Sequence, residues 1–513
     1  MSLQVQRISP PVKGLNTITP IRELGFDFAP QLENVWFDQS GELNRRPGQT
    51  TFDDGAPGGN IKTLFEHLAL SGASTIFSWS DDGTIYSLSG TTWSSSLGSV
   101  FSSRPRTAQI SGQTMVGDAV ATRYYNGSWN TPTGANPMNI FTTYNGRMYG
   151  AGDPSQQATV YFSDTIGGSG SGIAVWTTTG PGGILDISGA VGTGQIVTGL
   201  ATFQGMLVVF CNNVIIFYSG SDPATPSTFS VQKVIHGIGC VSHDTIQGTG
   251  NDMIFLSQFG FKKLREVLVQ GDAAAEDASI PINNFIMSEM RAGNALTADF
   301  RSAFAAKFGV YICRFGNRTV VYHELFDSWV YWFGLEPAYL KTDDGNLYLA
   351  DTRLHKMDDT VYSDTINGGT AVAIPLVWQL SPIRTDSKEV RARWNRVELL
   401  YQGEDADTVT MEIWPDLDET QSESFTITLS PAIPTDTSTS MIWSETASTD
   451  PRRAWGTATT GPSWAGSTTL FTGDERVPIR GFSELLSIRL TNPNITQFKI
   501  SATEIYFNEG GLR

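Results

Sequence analysis

The stretch Asp81-Asp-Gly83-Thr-Ile-Tyr86 returns far downstream as Asp343-Asp-Gly345-Asn-Leu-Tyr348. Between the two copies come Tyr144-Asn-Gly146-Arg-Met-Tyr149, Phe203-Gln-Gly205-Met-Leu-Val208, Gln258-Phe-Gly260-Phe261 and Lys307-Phe-Gly309-Val-Tyr311. Each reads as a strand, a glycine turn and a second strand, a hairpin whose glycine supplies the positive φ of the tight turn. The successive glycines lie 63, 59, 55, 49 and 36 residues apart. Propeller blades of four strands run to about 40–50 residues. The first four intervals fit blades with loop insertions, and the last falls inside one blade. Residues from about 60 to 370 therefore read as a β-propeller of five to seven blades, with six as the single assignment. Unrelated hairpins in a large sandwich or solenoid are the competing reading. Trp79-Ser-Asp81-Asp-Gly83 is also close to the S-x-D-x-G turn of sialidase-type propellers, a structural turn that speaks for a hairpin and not for catalysis.

Working outward, the fold class is all-β. An irregular, Pro-rich N-terminal arm covers residues 1–60, the propeller covers 61–370, and a β-sandwich-like C-terminal module covers 371–513. Short runs of Val, Ile, Phe and Tyr cut by Gly, Asn, Asp and Ser dominate. Met206-Leu-Val-Val-Phe210 reads as a strand buried on both faces, whereas Phe498-Lys-Ile-Ser-Ala-Thr-Glu-Ile-Tyr-Phe507 alternates and reads as a strand with one wet face. The clearest helical signal is Ile282, Phe285, Ile286 and Met290 behind Pro281, an i, i+3, i+4, i+8 stripe. Gly/Ser/Thr-rich residues 167–194 and 431–449 read as long loops. The C-terminal module has its own aromatic content in Trp378, Trp394, Trp414, Trp443, Trp455 and Trp464.

The chain has 513 residues, 34 Lys and Arg against 51 Asp and Glu, and a formal charge of −17. Only 17% of residues are charged, against about 25% in typical domains, while 40% are hydrophobic, ample for a core. The acidic balance opposes gripping nucleic acid through its phosphates. No run approaches the roughly 18 apolar residues of a membrane-spanning helix, so no membrane insertion is expected. The opening Met1-Ser-Leu-Gln-Val-Gln-Arg7 lacks the apolar stretch of a secretory leader. With three scattered cysteines, Cys211, Cys240 and Cys313, a reduced protein made in the cytoplasm is expected.

Catalytic patterns do not emerge. His67, His236, His243, His323 and His355 show no zinc-ligand spacing, and no nucleophile has a recognisable partner. Asp405, Asp407, Asp416 and Asp418 lack the glycine-centred loop of a calcium site and read as a solvated rim. No enzyme, cofactor or metal ion is expected. Trp329 and Trp332 are either core aromatics or a carbohydrate-stacking face, which keeps open the alternative of a carbohydrate-binding or glycoside-cleaving propeller.

The N-terminal segment is the most distinctive. Gly14-Leu-Asn16, Phe28-Ala-Pro30-Gln-Leu-Glu-Asn34-Val35 and Gly41-Glu-Leu-Asn-Arg45-Arg46-Pro47-Gly48 resemble the opening of tail hub, or nozzle, proteins of short-tailed bacteriophages, a group that includes packaged-DNA stabilisation proteins. Met253-Ile-Phe-Leu-Ser257 with Gly260, and Val321-Tyr-His-Glu-Leu-Phe-Asp-Ser-Trp329, are similar to that group as well. The resemblance implies a virion protein. It would form a six-subunit ring below the portal and the head-to-tail adaptor, carry tail fibres or spikes, and enclose a channel through which DNA passes without specific binding. Six copies at −17 each would carry −102, a wall of DNA's own sign that repels the duplex over a Debye length of about 8–10 Å. Arg45, Arg46, Arg391, Arg393 and Arg396 are then the candidates for contacts with neighbouring acidic subunits.

Overall fold

The computed structural model describes residues 3–167, 172–178, 182–192, 194–225, 228–270, 277–291, 300–315, 318–365, 369–384, 391–403, 407–429, 471–494 and 497–510. Among the described residues strands make up 54% and helices 8%, so the fold is all-β. It divides into two compact units: Leu15–Thr19 with Pro47–Val372, and Met1–Gly14 with Pro20–Arg46 and Ala373–Arg513.

In the first of these, the described residues form seven small sheets whose core strands are consecutive and antiparallel. Their opening strands are Ile61–Leu68, Arg106–Ile110, Ile140–Tyr144, Val197–Phe203, Gln247–Thr249, Arg301–Ala305 and Ala338–Lys341. Each sheet buries an apolar face against the next. Phe65, Phe77, Trp79 and Val116 join the first sheet to the second, and Met115, Phe141 and Met148 the second to the third. Tyr149, Leu200 and Val209 join the third to the fourth, and Phe210, Phe217 and Phe255 the fourth to the fifth. Phe261 of the fifth sheet stacks at 5.0 Å on Trp329 of the sixth. Ile61 and Leu64 of the first meet Ala338, Tyr348 and Leu354 of the seventh. The opening strands also touch in turn, with the turn His243–Thr245 bridging the fourth to the sixth, and the seventh returns to the first.

That return depends on a strand from outside the series. Gly48–Thr51 runs antiparallel to Leu354–Asp358 and supplies the fourth strand of the seventh sheet. Gly48 is required by space: a Cβ there would lie 2.2 Å from the Ser363 carbonyl oxygen. Just beyond, Asp53 is buried. Its carboxylate accepts from Arg353 Nε at 2.6 Å, the Leu354 amide at 3.0 Å and Trp93 Nε1 of the first sheet at 2.8 Å.

The six-blade assignment is corrected to seven sheets, and the turns explain the miscount. The hairpins that join opening and second strands turn at Gly72, Gly112, Gly146, Gly205, Gly250, Gly309 and Gly345, all with positive φ. Gly83 and Gly260 of the sequence repeat belong to the next hairpin along, between second and third strands. The sheet without a repeat glycine is the second, whose turn Ser111-Gly112 lacks the Tyr/Phe-x-Gly cadence, and Gly309 and Gly345, read as one blade, belong to the sixth and seventh sheets. The predicted helix forms at Asn283–Arg291 behind the turn Ile280–Ile282, with Ile282 and Ile286 buried. A second helix, Leu264–Gln270, follows the fifth sheet's last strand.

The other unit is built from both ends of the sequence. Gln4–Ile8, Val35–Phe37, Leu43–Arg45, Arg391–Gly403, Phe471–Ser483 and Phe498–Gly510 form one sheet, which draws Met1–Gly14 and Pro20–Arg46 into this unit. Gln31–Glu33, Leu376–Gln379, Leu485–Asn492, Asp407–Pro415 and Glu423–Leu429 pair in a second run. Trp378, Trp394 and Trp414 are buried, as are Val397, Leu399, Ile488 and Ile505. Trp443, Trp455 and Trp464, and the long loop at 431–449, lie outside the described residues.

Asp53→Ala leaves the half-buried Arg353 guanidinium, the Leu354 amide and the half-buried Trp93 indole N–H without their shared acceptor. Hydrogen bonds to a charged group contribute about 1.5–3 kcal/mol, and the expected loss in urea-monitored stability is of that size. A loss below about 1 kcal/mol would mean that Asp53 does not hold the first and seventh sheets together.

Candidate functional site

The starts of five of the seven opening strands line one pocket. There the chain encloses a pocket of about 200 Å³ lined by Lys62 of the first sheet, Arg104 and Arg106 of the second, His243 and Asp244 before the fifth, and Arg301 of the sixth. Among the described lining residues, four cationic side chains and the Asp244 carboxylate come together.

Asp244 organises the arginines. Arg106 grips it bidentately, Nε to Oδ1 at 2.9 Å and Nη2 to Oδ2 at 2.7 Å, and Arg104 Nη2 reaches the same Oδ2. Asp244 is presented by the short turn His243–Thr245, capped by the Ser242 hydroxyl, which accepts from the Asp244 amide. Burial works against the Asp244 charge, but Arg106 and Arg104 outweigh it and hold the carboxyl well below its usual range. Arg301 is buried; its Nη1 donates to the Phe300 carbonyl at 2.9 Å and its Nε to the Lys62 carbonyl at 3.2 Å. Lys62 Nζ lies 3.3 Å from Asp351.

His243 is kept neutral. Burial first, then Arg106 and Arg104 against the opposing pull of Asp244, lowers its pKa to about 4. Its Nδ1 has no hydrogen-bond partner among the described residues. Glu336 is pushed up to about 7, by burial and then by the neighbouring Asp351.

The sequence candidates lie elsewhere. Arg45 and Arg46 are each 1% exposed, so neither has surface to offer another subunit, and that assignment is corrected for both. Arg45 Nη2 donates to Asn492 Oδ1, and Arg46 Nε to Asn34 Oδ1 at 3.3 Å. Their sequence signal, two adjacent arginines before a proline, does not separate surface from interior. Arg391 and Arg393 are exposed, alternating with buried Ala392 and Trp394. A bulge between Trp394 and Arg396 then shifts the register, which returns Arg396 to the face of Arg391 and Arg393 despite its odd spacing. The Arg396 guanidinium sits 3.9 Å from the centre of the Tyr506 ring.

Trp329 and Trp332 are 1% and 0% exposed, so they are core and form no carbohydrate-stacking face. Asp407 accepts from Asn492 Nδ2 at 2.8 Å, Asp416 from the Glu484 and Leu485 amides, and Asp418 from the Thr420 amide. Asp405 lies outside the described residues. Among the described residues no three His, Cys, Asp or Glu are grouped to hold a metal ion. Burial pushes the thiols of Cys211, Cys240 and Cys313 up to about 12. No helix is long and apolar enough to cross a membrane among the described residues.

No family model matches the chain, and no curated protein matches it. Among solved structures it is similar to the extracellular domain of a putative one-component system from B. thetaiotaomicron, at 10% identity and TM-score 0.40, covering 61% of this chain and 40% of that one. It is similar to the AfRom2 CNH domain at 9% identity and TM-score 0.39, over 61% of this chain and 99% of that one. An exo-β-1,3-galactanase from Phanerochaete chrysosporium is similar at 10% identity and TM-score 0.23, over 92% and 98%. At these scores the likenesses carry no argument about activity.

The depressed His243 fixes a pH dependence. The unfolded state binds its proton below the ordinary value of 6.5 and the folded state only near 4, so this contribution to stability is present above 6.5 and lost as pH falls toward 4. His243→Gln is expected to reduce the fall in stability between pH 6.5 and pH 4 in urea titrations. An unchanged slope would locate the proton uptake elsewhere, with His323, lowered to about 3 by burial, the next group to test.

Proposed function

We propose that this chain is a structural subunit of the tail of a short-tailed bacteriophage, the hub or nozzle that forms a ring of six below the portal and adaptor. In this reading Pro47–Val372 is a seven-bladed β-propeller and the other unit a β-sandwich-like module. The ring carries fibres or spikes and passes DNA through an acidic channel after assembly in the host cytoplasm.

The observation that carries the reading is where the family-like residues fall. The Gly14 carbonyl accepts from the Ala29 amide at 2.9 Å. Asn34 has φ of 54°, accepts from Arg46 and donates through Nδ2 to the Pro375 carbonyl at 2.8 Å. Gly48 begins the strand that completes the seventh sheet. The residues shared with the nozzle proteins are thus joints of the fold, the positions a fast-diverging structural family must keep while its surfaces change. The face of Arg391, Arg393 and Arg396 is the cationic surface left for an acidic neighbour.

Native mass spectrometry and negative-stain imaging test the assembly. A six-fold ring, formed alone or beside the adaptor ring, is expected. A chain that stays monomeric in the presence of the adaptor overturns the proposal. Charge reversal by R391E with R393E is expected to abolish the ring while leaving the thermal midpoint within a few degrees. Rings formed normally by this variant would remove the arginine face from the interface.

A further inference from the structure

The strand that completes the seventh sheet is short and polar, Gly48-Gln-Thr-Thr51. It pairs with Leu354–Asp358 so that Thr51 lies opposite His355 and Gln49 opposite Met357. These four side chains therefore share one face of the seam. His355 is 0% exposed there. The Thr51 hydroxyl donates to the Thr365 carbonyl at 3.2 Å, and its oxygen lies 3.3 Å from His355 Nδ1. With its own proton directed at Thr365, that oxygen is left to accept from the ring, which puts the hydrogen of the neutral imidazole on Nδ1. Nε2 is then an acceptor. It is buried and without a hydrogen-bond partner, as is Oε1 of Gln49 on the same face. Unmet polar atoms of this kind mark the places where a fold opens first.

A second proton has no good place on this ring. It would bring a positive charge and an N–H to Nε2, where solvent does not reach. The charged groups around the ring are Asp53 beyond the closing strand, Arg353 beside the ring, and Asp364 of the neighbouring strand Ser363–Thr365. The Asp53 carboxylate already accepts from Arg353, the Leu354 amide and Trp93. Neither carboxylate hydrogen-bonds to the ring, and Arg353 repels a cation there. Burial outweighs the pull of Asp53 and Asp364 and keeps His355 below its ordinary value of 6.5.

We propose that His355 makes the seam of the seventh sheet an acid-sensitive latch: when the ring is protonated, Gly48–Thr51 releases from Leu354–Asp358 while the other six sheets stay folded. Every residue of the latch belongs to one unit of one chain, so it works whatever the chain assembles into. In the released state the ring is solvated and takes up its proton near 6.5. The seam therefore has its full stability above 6.5. Below that value the release constant rises by up to about tenfold per pH unit, until the closed ring is itself protonated.

The test is hydrogen exchange of the full chain read by mass spectrometry at pH 7, 6 and 5, corrected for intrinsic exchange rates. Peptides covering Gly48–Thr51 and Leu354–Asp358 are expected to lose protection by up to about tenfold per pH unit below 6.5, while Val214–Gly220 of the fourth sheet keeps its protection. His355→Asn, whose amide reaches about as far as Nδ1 and takes up no proton, is expected to make the seam's exchange independent of pH. Wild-type seam protection that is the same at pH 7 and pH 5 overturns the proposal, and that result needs no variant. Protection that rises in acid overturns it too, because the new N–H has then found Gln49 Oε1. So does simultaneous loss of protection in the fourth sheet, which is global unfolding, and so does acid sensitivity kept by a folded His355→Asn chain.

Discussion

Gly48–Thr51 lies some 300 residues before the strand it pairs with, and the seven-sheet unit depends on that pairing. Six sheets can form from neighbouring strands as local hairpins. The seventh has three consecutive hairpin strands, Ala338–Lys341, Leu347–Ala350 and Leu354–Asp358, and Ser363–Thr365 joins it through Gly48–Thr51. Its outer edge is satisfied when the early strand returns, and Asp53 then brings Arg353, Leu354 and Trp93 onto one carboxylate.

Charge follows the same geometry. The chain is acidic overall, yet its scarce cations are not spread evenly. The starts of the opening strands bring Lys62, Arg106 and Arg301 together from positions far apart in sequence, and the Asp244 carboxylate lies between Arg104 and Arg106. The other cationic feature, Arg391, Arg393 and Arg396, is local to one strand and depends on a single bulge.

Much of the fold was legible because hairpins are local. Asn145-Gly146 and Gln204-Gly205 both have positive φ at the two turn positions, and such X-Gly pairs between apolar runs advertise two-residue turns. Counting the sheets from sequence failed where cadence and turn separate. Ser111-Gly112 forms the same kind of turn, with φ of 45° and 70°, but Ile110 and Gln113 around it lack the aromatic pattern. The fifth sheet carries a helix where its fellows carry a fourth strand.

By itself the sequence determined the strand-rich class, the hairpin glycines, the helix behind Pro281 and the absence of local metal-binding or nucleophile motifs, because each is written in spacings of a few residues. Tertiary structure decided the rest. Whether Arg45 lies on a surface depends on Asn492, and whether Lys62 belongs to a site depends on Arg301, hundreds of residues away. Burial and electrostatic company are properties of three-dimensional neighbours. No periodicity records which neighbours a series of packed sheets will bring together.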